Sequence, residues 1–187
     1  YFIMELSTAV IAWFLWRQYG LSAEFIASAF FYAMLLVATV TDFETGLIPD
    51  QITVPGMLLG LALSVTGHGH FDATFWYQKL IASAAGLAAG GVILLLTGWL
   101  GKLVFRKDSM GGGDVKLLAM IGAFVGAPKV VLIFLIAPFP ALPLALWERF
   151  VKKQETIPFG PFLALAGAVV FAKGEAVLNF LSKLYGV

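Results

Sequence analysis

The chain has 187 residues, enough for one domain, but 60% are hydrophobic and only 12% charged, against about 25% charged in water-soluble chains. With a mean hydropathy of +0.93, that surface needs a lipid bilayer as its partner. The net charge of +1 argues against nucleic acid, and the absence of Cys excludes disulfides, a thiol nucleophile and Cys-ligated zinc within these residues. The start at Tyr1, with neither Met nor a charged leading region, is not that of a signal peptide and suggests a piece of something longer.

A membrane helix needs about 20 mostly apolar residues, so the gaps between charges set the expected spans. The first runs from about Phe2 to Trp16 and the second from about Phe25 to Thr41. The third covers about Thr53 to Thr66 and ends in a polar loop holding His68, His70 and Asp72. The fourth and longest extends from about Leu80 to Phe105, before the Arg106, Lys107, Asp108 cluster. After Met110 and three glycines comes a short fifth helix, Val115 to Val125, ended by Gly126, Ala127 and Pro128. A sixth span, about Val130 to Trp147, is expected to kink at Pro138, Pro140 and Pro143, because proline lacks a backbone donor. A charged loop, Glu148 to Glu155, leads to a seventh helix ending near Ala172, and the tail from Glu175 to Tyr185 is expected along the interface. The fold class is therefore all-α, a polytopic integral membrane helix bundle with about seven membrane segments.

Seven crossings put residues 42–52, 102–116 and 148–156 on one side. Lys102, Arg106, Lys107, Lys116, Arg149, Lys152 and Lys153 fall there, against Arg17, Lys79, Lys129, Lys173 and Lys183 on the other. The excess of positive charge marks the first side as cytoplasmic. Gly56/Gly60, Gly86/Gly90 and Gly122/Gly126 have the spacing that lets membrane helices approach closely.

Acids at membrane depth are costly and point to function. Here they gather in two segments on the same side, Asp42 to Asp50 and the stretch Gly111-Gly112-Gly113-Asp114-Val115-Lys116. Asp42 ends a helix, where the dipole disfavours a carboxylate, so capping does not explain it; an interfacial acid wetted by water is the bland reading. Asp50 follows Ile48-Pro49 and reads as a structural cap of the third helix, and Glu44 reads as a solvated loop residue. Asp114 could serve as the cap or first-turn acid of the fifth helix, but three preceding glycines exceed what a cap requires and suit close approach of another backbone. Lys116 reads most simply as a side chain reaching the interface. Two carboxylates brought together cannot both ionise cheaply, so one keeps a proton while the other stays a base. That pair can activate water, polarise a carbonyl and protonate a leaving amine. His68 and His70, on the opposite side with no carboxylate cluster, read as a solvated loop, and no metal site is expected.

The run Asp42-Phe43-Glu44-Thr45-Gly46-Leu47-Ile48-Pro49-Asp50-Gln51-Ile52-Thr53, followed by Gly111-Gly112-Gly113-Asp114-Val115-Lys116-Leu117-Leu118-Ala119, resembles the type IV prepilin peptidases of the GxGD class of intramembrane aspartyl proteases. Similarity extends to Tyr1-Phe2-Ile3-Met4-Glu5-Leu6 and Ile157-Pro158-Phe159-Gly160-Pro161-Phe162, hence over essentially all of residues 1–187 as one peptidase domain. The resemblance implies Asp42 and Asp114 as the catalytic pair, with Gly111, Gly112, Gly113 and Lys116 in the active-site loop and Glu44, Pro49 and Asp50 in support. It implies cleavage of prepilin and pseudopilin leaders after a glycine, on the cytoplasmic side of the inner membrane, with no cofactor for proteolysis. Bacterial members usually carry a further membrane helix and a cytoplasmic, Cys-rich, zinc-binding region ahead of this part. Many also methylate the new N-terminus with S-adenosylmethionine, so zinc and S-adenosylmethionine belong to a longer form. Archaeal preflagellin peptidases are the close alternative, and a proton-coupled transporter using both acids as a relay is the competing class.

Overall fold

The computed structural model describes residues 2–66, 74–106, 111–147 and 158–185, and all regular structure among them is helical. Eight helices follow in order: α1 (Phe2–Tyr19), α2 (Ala23–Thr45), α3 (Asp50–Val65), α4 (Trp76–Phe105), α5 (Gly112–Val125), α6 (Ala127–Ile136), α7 (Pro138–Trp147) and α8 (Gly160–Tyr185). Two of them, Ala23–Thr45 and Trp76–Val104, are long and apolar enough to cross a membrane by themselves; α3, the α6–α7 pair and the first part of α8 are shorter apolar segments. Trp13, Trp16, Trp99, Leu103 and Phe139 are each more than half exposed, a surface suited to lipid and aggregation-prone in water. Seven spans are therefore not what helix length alone delivers.

The expected proline-interrupted sixth span is present: α6 and α7 abut at Ala137, which keeps helical φ and ψ and donates to the carbonyl of Ile133, and the ladder then lacks the N–H of Pro138. The tail expected along the interface continues α8 without a break to Tyr185. The polar loop with His68, His70 and Asp72, the Lys107–Asp108 pair, Met110 and the charged segment from Glu148 to Ile157 lie outside the described residues.

The short helix α5 is central, packed by α3, α4, α6 and α8, and every residue from Leu117 to Val125 is buried. Glycines make this density attainable. A Cβ on Gly86 would stand 2.7 Å from the Cα of Gly126 and run into the carbonyl of Gly122, so α4 and α5 touch backbone to backbone. On the other flank, a Cβ on Gly60 would stand 2.8 Å from the Cβ of Ala123. Ser83 adds a hydrogen bond to the carbonyl of Ala123, 2.6 Å long. The three glycine pairs singled out by spacing all lie on these two seams.

Helix direction follows from the same contacts. Gly56 lies against Met120 and Gly60 against Ala123, so α3 and α5 run the same way. Gly167 lies against Ile121, at a level that makes α8 parallel to α5 as well. Tyr32 donates to the carbonyl of Ala168 and Phe31 stacks on Phe171, 4.4 Å between ring centroids, while Asp42 meets Gly160, so α2 runs antiparallel to α8. The N-termini of α3, α5 and α8 and the C-terminus of α2 thus converge at one end of the bundle.

The α4–α5 seam is testable. Gly86→Ala should cost about 1–3 kcal/mol through overpacking, whereas Gly91→Ala, whose Cβ would meet only the Cβ of Ala119 at 3.8 Å, should leave stability unchanged or slightly raised. Thermal unfolding of the two purified variants in the same detergent separates them.

Candidate active site

Asp42 occupies the last turn of α2, buried to 6% exposure. The helix ends at Gly46, whose φ of 67° reverses the chain and whose N–H donates to the carbonyl of Asp42, 2.9 Å away. That left-handed turn is open to glycine at little cost, and it carries Leu47 outward and folds the buried Ile48 back under the helix end. Pro49, with extended backbone, is the N-cap of α3. Oδ2 of Asp42 accepts the N–H of Gly160, 3.0 Å away, at the first residue of α8.

Asp114 is the third residue of α5, following the N-cap Gly111. Its carboxylate turns back to accept the N–H of Gly111, the reciprocal half of a capping box. It is partly buried, and the Asp42 carboxylate is near enough for its charge to act on it. The glycines of the loop serve different ends. Gly112 has open space around it, while a Cβ on Gly113 would stand 3.0 Å from the Cβ of Ile48 and one on Gly111 3.2 Å from Oδ2 of Asp114. The positive dipole ends of three helix N-termini give two carboxylates a setting that partly offsets their mutual repulsion.

The supporting residues distribute differently from expectation. Asp50 does not cap α3: Pro49 holds the cap position without a side-chain bond, and Asp50 is the first helical residue. Its carboxylate instead receives both hydrogen bonds from Lys116 Nζ, at 2.6 and 2.7 Å. Lys116 therefore ties α5 to α3 rather than reaching freely to the interface. Glu44 is helical, on the last turn of α2, and exposed. Two contributors carried no role in the sequence reading, Ile48 and Gly160. The available signal was a glycine between Pro158-Phe159 and Pro161, at a helix start. A cleft of about 390 Å³ between α1, α2 and α8 opens beside these residues, with Thr39, Phe43, Pro161 and Phe162 in its wall. No three His, Asp or Glu side chains among the described residues come together in a way that could hold a metal ion.

A paired carboxylate site at the end of an apolar bundle is the setting in which the comparisons become informative. The profile of the Type IV leader peptidase family matches residues 29–146. The chain belongs to that family. Its leader peptidase relatives include the Prepilin leader peptidase/N-methyltransferase of Burkholderia pseudomallei (strain K96243), 33% identical over 177 residues, covering 93% of this chain and 55% of the relative. The protein of the same description from Xanthomonas campestris is 34% identical over 197 residues, 100% of this chain and 63% of the relative. That of Escherichia coli (strain K12) is 33% identical over 141 residues, 74% and 59%. The chain thus spans somewhat more than half the length of these leader peptidases. No solved structure matches.

The Lys116–Asp50 pair is solvent-facing, so it should contribute no more than about 1 kcal/mol. Asp50→Asn and Lys116→Gln should each cost that or less and retain much of any peptidase activity, and the double variant should cost no more than the larger single effect. A double-mutant cycle of unfolding midpoints reads the coupling.

Proposed function

We propose that this chain is the membrane core of an aspartic endopeptidase that removes leader peptides from type IV prepilins or pseudopilins. Cleavage follows a glycine on the cytoplasmic side of the inner membrane, with Asp42 and Asp114 as the catalytic dyad. The observation that carries this reading is that both acids stand at the meeting point of α2, α5 and α8: Asp42 accepts the Gly160 amide at the start of α8, and Ile48 packs against both Gly160 and Gly113, the neighbour of Asp114. Membership of the Type IV leader peptidase family supports the reaction class. The names of the relatives support the substrate class.

In this mechanism the dyad holds one proton between two carboxyl groups. The ionised member takes a proton from a water as that water attacks the scissile carbonyl carbon; the protonated member donates to the carbonyl oxygen. Collapse of the tetrahedral intermediate breaks the C–N bond, and the leaving amine takes a proton from the dyad. The open space at Gly112 admits the backbone of an extended substrate. The exposed Glu44 adds negative charge at the mouth, which suits a leader rich in Lys and Arg, whereas Asp50 is neutralised by Lys116.

Asp42→Asn and Asp114→Asn should each abolish cleavage of a prepilin-like peptide while the melting transition persists, because an amide neither accepts the proton of water nor shares one. Wild-type hydrolysis should follow a bell-shaped pH profile. Acidification protonates the base and lowers the rate; alkalinisation removes the shared proton and lowers it again. Turnover by either variant, or a rate rising monotonically to high pH with the fold intact, would refute the dyad.

A further inference from the structure

Gly160 opens α8, and its amide is the donor to Oδ2 of the buried Asp42. We infer that Gly160 is a positioning residue for Asp42: its N–H holds Oδ2, leaving Oδ1 to meet the water and the shared proton, and its missing side chain is what lets α8 come this close. The inference rests on the reading of Asp42 as catalytic and adds to it a third structural participant.

Two independent features lead there. The first is the bond itself. A carboxylate turns easily about its last torsion, whose wells are broad, and Asp42 sits where the α2 dipole gives it no help. An amide at the start of α8 has no partner within its own helix, so it is free to fix that torsion. Pro161, the next residue, suits a helix's first turn because no donor is needed there, and its restricted φ steadies the backbone that presents the amide.

The second feature is steric. A Cβ on Gly160 would stand 2.7 Å from Oδ2 of Asp42 and 2.8 Å from Cδ1 of Ile48. Ile48 is itself buried, 7% exposed, and packed on the glycine loop at Gly113, which limits how far it can withdraw. Any side chain at 160 therefore presses on the carboxylate itself. A shift of about 1 Å in a catalytic group can cost on the order of 100-fold in rate.

The test compares Gly160→Ala with the double variant Gly160→Ala/Ile48→Val, using the full chain in detergent and a prepilin-like peptide. The second change removes Cδ1 and relieves the contact with Ile48 without relieving the one with Asp42. Both variants should lose about 100-fold in kcat with KM within about twofold, and the limbs of the pH–rate profile should move relative to wild type. A kcat near wild type in Gly160→Ala, its restoration by Ile48→Val, or a profile reduced in height with unmoved limbs would each overturn the positioning role. If Gly160→Ala lacks a cooperative melt, the double variant alone decides: kcat near wild type rejects the inference. Asp42→Asn assayed in parallel separates the two claims. Cleavage by that variant removes the catalytic reading itself, whereas its inactivity beside a fully active Gly160 variant removes only this one.

Discussion

The backbone contact between α4 and α5 is the constraint on which the site depends. A 14-residue helix is about 21 Å long at 1.5 Å per residue, too short to cross a bilayer core of about 30 Å unaided. It is held at depth by neighbours that surround it, and the approach is close enough only where side chains are missing: Gly86 against Gly122, and Gly90 against Leu118 and Ala119. In lipid there is little hydrophobic gain from pressing helices together, so such van der Waals contact carries the association. Because α5 is fixed along its whole length, the acid on its first turn is fixed as well.

Helix direction then assembles the chemistry. The N-termini of α3, α5 and α8 meet the C-terminus of α2 around the site, and the acid on that C-terminus is Asp42, in the position least favoured by its own helix. What α2 withholds, α8 supplies through the Gly160 amide. Asp114 is served in the same way by its own helix, through Gly111. Each acid thus has a backbone donor, and neither donor is a side chain that could titrate. Backbone donors of this kind keep their charge and place whatever the protonation state of the acid they meet.

Ile48 links the two halves. It is buried, touches the glycine loop at Gly113, and borders Gly160 beside Asp42. The turn that bears it is set at one end by the left-handed Gly46 and at the other by Pro49. The exposed Asp50–Lys116 pair closes the same corner on the outside. Apolar packing beneath and a solvated ion pair above give this corner one geometry without burying a further charge.

Much of this was legible in the amino-acid sequence. Composition dictated a lipid-facing, all-helical chain, because too few charged residues exist to cover it. The glycine spacings marked the seams that pack, and two acid-bearing motifs marked the residues that meet. Other features were decided only in three dimensions. Proline counts could not say how far the helical path survives, since that turns on how neighbours satisfy the freed carbonyls, and Ala137 stays helical between α6 and α7. The partner of Lys116 could not be read off, because it lies 66 residues away on α3. Nor could the donor to Asp42, 118 residues distant and contributed by backbone alone. A backbone amide has the same chemistry at every position but proline, so no residue type announces it; only the packing of α8 against α2 selects which one meets the acid.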